Sequence, residues 1–143
     1  MPIDTKLLTP ADGRLLANVA ADVFDDPVDA RAAAEFLNDP RHHIAVAIDN
    51  GVVVGFASAV HYVHPDKPAP EMWINEVGVA ASHRGLGAGK AILAVLLDRA
   101  RELGCVEAWV LTGRDNLAAM RLYAAAEGVQ APADSVMFTF YLQ

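Results

Sequence analysis

The chain has 143 residues, a hydrophobic content of 54% and a formal net charge of −7. This length fits one domain with one hydrophobic core, so we expect residues 1–143 to form a single domain. The negative charge argues against a nucleic-acid partner, because phosphate binding needs a basic face. Neither a secretory leader nor an apolar run long enough to cross a bilayer is recognisable, so we expect no membrane partner.

One cysteine, Cys105, excludes an internal disulfide and gives no metal cluster. A reducing, cytoplasmic location is therefore the simplest expectation. Acidic residues are concentrated in residues 22–39, where only Arg31 opposes them: Asp22, Asp25, Asp26, Asp29, Glu35 and Asp39. Such a surface attracts a cationic ligand by long-range steering, although a merely solubilising surface explains the same charges.

The first half of the chain predicts a strand, two helices and a hairpin. Residues 3–8 form the strand, and a helix follows over 9–24 with Thr9 as its N-cap. A second helix begins after Pro27 and stops before Pro40. Next, the sequence Asp-Asn-Gly at 49–51 separates two β-branched runs, which is a strong hairpin signal.

The second half predicts a Pro-rich loop, HPDKPAP, and then a strand over about 72–79. A helix runs through Leu103 and ends at Gly104. Then come a buried strand (VEAWVLT), a helix (NLAAMRLYAAAEG) and a last strand (SVMFTFYL). The strand–helix–strand crossover implies at least one parallel pair in a mostly antiparallel sheet, and hence an α+β fold.

Three glycines, Gly85, Gly87 and Gly89, lie in the stretch SHRGLGAGK, just where a helix is about to begin. A helix N-terminus has unpaired N–H groups that bind anions, and glycines let the backbone approach a phosphate closely. Arg84 adds a planar donor suited to phosphate. The spacing matches neither a Walker loop nor a dinucleotide fingerprint, so the residues alone indicate only a phosphate-binding turn.

The context of these glycines is more specific. Arg84-x-x-Gly87-x-Gly89, preceded by NEVGVAASH and followed by AILAVLLDRARELG, resembles motif A of the GNAT superfamily of acetyl-CoA-dependent N-acetyltransferases. The later stretch VLTGRDNLAAMRLYAAAEGV resembles that superfamily's strand, asparagine and helix, with Asn116, Ala119, Tyr123 and Gly128. The resemblance covers essentially the whole chain. It implies a mixed α+β fold: a sheet of six or seven strands with a splayed parallel pair, flanked by about four helices.

Within the superfamily, the Pro-rich loop before an acid-bearing strand and the segment FDDPVD resemble the aminoglycoside 3-N-acetyltransferase branch. This implies transfer of an acetyl group to a primary amine of a cationic small molecule, and a link to antibiotic resistance. A protein or peptide amine, a small amino acid, and a non-catalytic CoA-binding module are alternatives. Related enzymes often dimerise, so a homodimer is a further expectation.

The resemblance also assigns the acetyl-CoA contacts. The pyrophosphate would rest on the N–H groups of Arg84, Gly85, Leu86, Gly87, Ala88, Gly89 and Lys90. The pantetheine would pair with the backbone of Val77 and Val79 like an added strand. Gly78 either permits a bulge there or allows close backbone packing. Asn116 either contacts the cofactor or caps the final helix.

Two side chains are candidates for proton transfer. The acceptor amine must lose a proton, and Glu76, just before the pantetheine segment, is the candidate base, directly or through water. Tyr123 lies two helical turns after Asn116 and is the candidate acid for the departing CoA thiolate. The alternatives are a structurally paired Glu76 and a Tyr123 that only packs its ring. Glu71 is a weaker substitute for the base, and no metal is expected because His42 and His43 point to opposite faces of their strand.

Overall fold

The fold contains five strands, three α-helices and two 3-10 segments in a computed structural model that describes residues 3–132 and 134–142. In chain order they are β1 (Asp4–Leu7), a 3-10 helix (Pro10–Ala17), α1 (Ala30–Asn38), β2 (His42–Asp49), β3 (Val52–His64), β4 (Lys67–Val79), a 3-10 turn (Ala81–His83), α2 (Ala88–Glu102), β5 (Glu107–Val110) and α3 (Leu117–Ala125). None of the helices in these two ranges is both long and apolar enough to cross a bilayer.

The strands form one sheet in the order β1-β2-β3-β4-β5. The first three pairs are antiparallel, and β4 pairs with β5 in parallel. This confirms a mostly antiparallel α+β fold with a parallel pair. The described residues give five strands, however, and not the six or seven that were expected.

Local signals explain several element boundaries. Asn50 and Gly51 have φ of 52° and 80°, the left-handed conformation that a two-residue hairpin turn requires, so the predicted β2–β3 hairpin is confirmed. The glycine predicted to end α2 is Gly104, whose φ of 83° lies just beyond the Leu103 cap.

The two faces of the sheet have different covers. On one face, α2 buries Ile92 and Leu96 completely. On the opposite face, the loop between the first 3-10 helix and α1 lies on β3, and the ring of Phe24 stacks on Phe56 with centroids 4.0 Å apart. We call this second, less covered face the open face of the sheet. The residues of the candidate site lie on it or at its end.

The first helix is shorter than predicted. Thr9 caps it as expected, but it is a 3-10 helix that ends at Ala17. The chain leaves the helix because Asn18 and Ala20 hydrogen-bond to the backbone of Val53, each at 2.9 Å. This contact with β3 is far away in sequence and overrides the helical periodicity of residues 19–24.

The Pro-rich loop is shorter than predicted. A turn at Pro65 and Asp66 joins β3 to β4, and β4 already begins at Lys67. Pro68 and Pro70 are tolerated in this strand because β5 pairs with β4 only from Glu71 onward. A proline without an N–H costs little where the strand has a free edge.

The last two predicted strands also differ. The stretch VEAWVLT gives the four-residue strand β5, which is half-buried at the edge of the sheet and not buried as predicted. The stretch SVMFTFYL, residues 135–142, forms no strand, and each of its residues is exposed. An apolar run becomes a strand only when another strand is available to pair with it.

A buried histidine pair lies on the α2 side of the sheet. His43 is 6% exposed, and its Nε2 is 2.8 Å from Nδ1 of His61. Burial, with a smaller contribution from the nearby His61, lowers the pKa of His43 from 6.5 to about 4. His43 is therefore neutral in the folded protein at pH 7 and resists protonation.

We expect the free energy of unfolding to fall by about 2 kcal/mol between pH 7 and pH 4.5 because of His43. The unfolded chain binds this proton near pH 6.5, while the folded chain binds it only near pH 4, so acid favours unfolding over that range. Urea unfolding at both pH values measures the change. His43→Gln should remove most of it, and an equal pH dependence in wild type and His43→Gln would contradict this assignment.

Candidate active site

The site begins where β4 and β5 separate. The parallel pairing covers only Glu71–Ile74 of β4, opposite Glu107–Val110 of β5. Beyond Ile74, β4 continues to Val79 and remains paired with β3 alone. The edge of β4 over residues 75–79 therefore has no strand partner on the β5 side within the described ranges. It contains Val77 and Val79, the residues predicted to pair with pantetheine.

A bulge places Glu76 on the open face of the sheet. The β3–β4 register shifts between Ser58 and Ala59, so that Asn75 has no partner and Glu76 lies opposite Ser58. Without this extra residue, Glu76 would point toward α2. In the structure it is exposed, and no described residue forms a hydrogen bond or ion pair with its carboxylate. The alternative of a structurally paired Glu76 thus lacks a partner.

Gly78 allows a close approach of two backbones. A Cβ at this position would lie 2.5 Å from the carbonyl oxygen of Val23 and 3.0 Å from the ring of Phe56. The register shift of β4 lies at Asn75 and not at Gly78. Of the two roles considered for Gly78, the structure therefore favours close packing. This contact holds the loop before α1 against the end of β4.

The glycine loop has the conformation of an anion-binding turn. Gly85 and Gly87 have φ of 78° and 83°, which L side chains rarely adopt. Gly87 is the N-cap of α2 and offers no side chain to its first turn. The N–H groups of Gly85, Leu86 and Gly87 find no acceptor in the part of the chain that the structure describes. Unpaired donors at the positive end of a 15-residue helix fit a phosphate group.

Arg84 belongs partly to the scaffold of this loop. Its Nε–H donates to the carbonyl of Val79 at 3.1 Å, and its backbone N–H donates to Ala81 at 3.4 Å. The guanidinium therefore holds the loop against the end of β4, while its terminal nitrogens stay available. Gly89, inside α2, would place a Cβ 3.3 Å from the side chain of Leu122, so α3 packs tightly against this end of α2.

A histidine on the loop is tied to the β2–β3 hairpin. Nε2 of His83 lies 2.7 Å from Oδ2 of Asp49, and its Nδ1 lies 2.7 Å from the hydroxyl of Ser82. Asp49 is 34 residues away in sequence, so no local pattern points to this pair. Across residues 3–132 and 134–142, His, Cys, Asp and Glu side chains form no group of three that could hold a metal ion.

A second anchor connects the loop before α1 with the glycine loop. The carboxylate of Asp22 accepts the backbone N–H of Ala81 at 2.8 Å. This hydrogen bond holds the pKa of Asp22 below its usual range. From the sequence, Asp22 was expected only to be part of an acidic surface, and its structural role was missed.

Other members of the acidic surface also have structural partners. Asp29 caps α1 by accepting the N–H of Ala32 at 2.8 Å. Asp39 pairs with Arg41, which lowers the pKa of Asp39 to about 2. Three of the six carboxylates are thus accounted for by the fold, and Asp25, Asp26 and Glu35 remain as candidates for steering a cation.

The α3 helix contributes Asn116 and Tyr123. The side chain of Asn116 accepts the N–H of Ala119 at 3.1 Å, so it caps α3, which was one of its two predicted roles. Tyr123 packs against the hydrophobic core and is half-buried. Burial raises the pKa of its phenol, so the phenol keeps its proton at neutral pH. It has the protonation state that a general acid requires.

Two stacked aromatic residues lie on the open face of the sheet next to Glu76. The indole rings of Trp73 and Trp109 stack with centroids 5.1 Å apart and planes 6° from parallel. Trp73, opposite Val60 on β3, lies on the same face as Glu76 because of the bulge at Asn75. Trp73 remains 38% exposed. This stack could not be predicted from the sequence, since it depends on the register of a parallel pair.

Glu71 is part of a hydrogen-bonded chain behind these rings. Nε1–H of Trp109 donates to the hydroxyl of Tyr62 at 2.7 Å, and this hydroxyl donates to Glu71 at 3.2 Å. The other carboxylate oxygen of Glu71 is 2.7 Å from Nε2 of His64. Glu71 therefore orients the aromatic residues, which makes it a weaker candidate base than the unpaired Glu76.

Comparison with known proteins gives consistent relatives. The family model of the acetyltransferase (GNAT) family matches residues 14–128. The N-alpha-acetyltransferase RimI of Mycobacterium tuberculosis is 35% identical over 124 residues, which cover 85% of this chain and 75% of RimI.

Solved structures share the fold. An aminoglycoside acetyltransferase from an uncultured soil metagenomic sample, in complex with sisomicin, matches with a TM-score of 0.81 and 19% identity, covering 99% of this chain and 97% of that one. AAC(6')-Iy in complex with a CoA-containing bisubstrate analog matches with a TM-score of 0.80 and 19% identity over 100% of both chains. The chain therefore belongs to the acetyltransferase (GNAT) family and is an acetyl-CoA-dependent N-acetyltransferase.

Proposed function

We propose that the protein acetylates a primary amine of a cationic small molecule, as an aminoglycoside acetyltransferase does. One observation carries this proposal: the unpaired carboxylate of Glu76 shares the open face of the sheet with the stacked Trp73 and Trp109. A carboxylate and the face of an indole ring both attract cations. The structural similarity to a sisomicin-bound acetyltransferase supports the same acceptor class.

A second acceptor class has its own support. RimI of Mycobacterium tuberculosis is named as an N-alpha-acetyltransferase and is 35% identical to this chain. An N-terminal α-amine of a protein is therefore the main rival, with a small amino acid as a further alternative. The remaining alternative is a module that binds CoA without turnover. An unpaired Glu76 and a protonated Tyr123 argue against it.

Binding of acetyl-CoA is proposed to use two sets of backbone groups. The free N–H groups of Gly85, Leu86 and Gly87, in the loop from Arg84 to Lys90, fit the pyrophosphate, and the open edge at Val77 and Val79 fits the pantetheine amides. Gly78 brings the loop before α1 against this edge. When bound, the thioester supplies the acetyl group.

Proton transfer is then assigned to two side chains. Glu76 accepts the proton of the acceptor ammonium, directly or through water, so that the neutral amine attacks the thioester carbon. The N–H of Val77 stabilises the charge that develops on the carbonyl oxygen. Tyr123 donates its proton to the departing sulfur, since burial raises the pKa of its phenol and keeps it protonated at neutral pH. Cys105 is half-buried and burial raises the pKa of its thiol, so it is a poor nucleophile and no acyl-enzyme is invoked.

The setting of the enzyme completes the proposal. We propose a cytoplasmic location, from the single free cysteine, and a homodimer, from the resemblance to enzymes that often dimerise. A role in antibiotic resistance follows only if the acceptor is an antibiotic.

The acceptor class can be tested with a panel of amines. We expect release of CoA thiol from acetyl-CoA to be fastest with sisomicin or spermidine, and slower with a peptide that begins with alanine or with free amino acids. Thiol release is followed with a thiol-reactive dye, and Trp73→Ala should raise KM for the cationic amine while sparing KM for acetyl-CoA. Faster turnover with the peptide would replace the small-molecule proposal by the N-alpha-amine one. No turnover with any amine, despite acetyl-CoA binding, would favour the non-catalytic module.

The role of Tyr123 can be tested with Tyr123→Phe. This change removes only the hydroxyl, so kcat should fall roughly 10²-fold or more while the dissociation constant of acetyl-CoA stays the same. Because burial raises the phenol pKa, the wild-type rate should lose this acid only above about pH 10, and the variant should lack that alkaline decline. Unchanged kcat in Tyr123→Phe would leave the ring with a packing role alone.

A further inference from the structure

A buried hydroxyl lies beside the candidate base. Ser58 is 8% exposed, and no described residue forms a hydrogen bond with its hydroxyl. The oxygen is not sealed in, because the only fully enclosed polar side-chain atom without a partner, among the described residues, is Nδ1 of His42. A buried hydroxyl that lacks a partner destabilises a fold, so its partner is to be sought outside the chain.

The hydroxyl of Ser58 faces the candidate site. Phe56, two residues earlier in β3, stacks on the loop before α1 on the open face, so Ser58 points to that face as well. Its partner across the sheet on β4 is Glu76. The preceding residue, Ala57, lies opposite Val77, whose N–H is assigned to the thioester oxygen. Ser58 therefore lies at the level of the sheet where acetyl transfer is proposed.

Apolar side chains surround this hydroxyl within the sheet. Its neighbours on the open face are Phe56 and Val60 on β3, Ile44 on β2 and Glu76 on β4. Of these four residues only Glu76 is polar. A ligand group held by Glu76 therefore meets the Ser58 hydroxyl as the next hydrogen-bonding atom on this face. A hydroxyl oxygen has two lone pairs, so it can accept an N–H.

We propose that Ser58 accepts a hydrogen bond from the reacting amine and thereby selects primary over secondary amines. This rests on the proposed function, since it takes Glu76 as the base. A primary ammonium has three N–H bonds, and Glu76 takes the first proton. The lone pair then bonds to the acetyl carbon, the C–S bond breaks, and the sulfur takes a proton from Tyr123, which the second proton of the nitrogen replaces. The third N–H stays in the product amide, and Ser58 accepts this one.

A secondary amine cannot make this contact. Its product amide has no N–H, and an alkyl group takes the place of the N–H that points at Ser58. The hydroxyl then stays unpaired beside an apolar group, flanked by Phe56 and Val60. Sites that hydrogen-bond a substrate N–H reject analogues without it much more strongly than apolar pockets distinguish one methylene.

Two pairs of amines test the role of Ser58. Each pair consists of a primary amine and its methylated form: spermidine and spermidine methylated at both terminal nitrogens, and a peptide that begins with alanine and one that begins with N-methylalanine. Release of CoA thiol gives kcat/KM for each amine in wild type, Ser58→Ala and Ser58→Cys. Cysteine has nearly the size of serine but is a weak acceptor. Ser135→Ala, at an exposed serine, is the control.

We expect wild type and Ser135→Ala to prefer the primary amine of each pair by roughly 10²-fold or more in kcat/KM. In Ser58→Ala and Ser58→Cys, kcat/KM for the primary amine should fall about tenfold while that for the methylated amine stays the same. Equal losses for both amines would overturn the proposal, because the hydroxyl would then act on Glu76 or on a water. An unchanged preference in a folded Ser58→Ala would also overturn it and leave Ser58 as a space-filling residue.

The same measurements separate this inference from the acceptor class. Which pair reacts faster in wild type decides between a small cationic amine and an N-terminal α-amine, whereas the ratio within a pair decides the role of Ser58. The midpoint of thermal unfolding of Ser58→Ala should not lie below that of wild type, since the change removes an unpaired buried hydroxyl. A much lower midpoint would mean that the hydroxyl has a partner within the fold, and would contradict the proposal.

Discussion

The separation of β4 from β5 is the constraint on which the candidate site depends. β4 keeps its hydrogen bonds to β3 to its last residue, but it shares only four residues with β5. The chain then turns away at Val110 toward α3, while β4 leads into the glycine loop and α2. A free strand edge, a helix N-terminus and the Tyr123 helix are therefore gathered at the carboxyl end of one parallel pair, where ligands of such sheets bind.

Contacts from distant parts of the chain hold this opening in shape. Asp22 receives the N–H of Ala81, His83 is bound to Asp49, and the backbone of Val23 rests on Gly78. Each connects the end of β4 or the glycine loop to the first 50 residues. The loop before α1 and the glycine loop are thus fixed relative to each other by hydrogen bonds and close backbone packing, and not by the hydrophobic core alone.

The sequence predicts what depends on nearby residues. Local chemistry is enough to predict the turn at Asn50 and Gly51, the glycine loop, and the caps at Thr9 and Asn116. The order of these features along the chain gave the family resemblance. The bulge at Asn75 could not be predicted, because it is a property of the register between two strands. The Trp73–Trp109 stack was missed for the same reason. Residues 135–142 were predicted to be a strand from their apolarity, but strand formation also requires a partner edge.

We propose that the free N–H groups of the glycine loop bind acetyl-CoA. Calorimetric titration of acetyl-CoA into wild type, Gly87→Ala and Gly104→Ala tests it most directly, since Gly87 and Gly104 both have φ of 83° and lie at opposite ends of α2. Each alanine should cost about 1–2 kcal/mol of stability from the same backbone strain. We expect the dissociation constant to rise about tenfold or more in Gly87→Ala and to stay at the wild-type value in Gly104→Ala. Equal affinities in the two variants would contradict the claim.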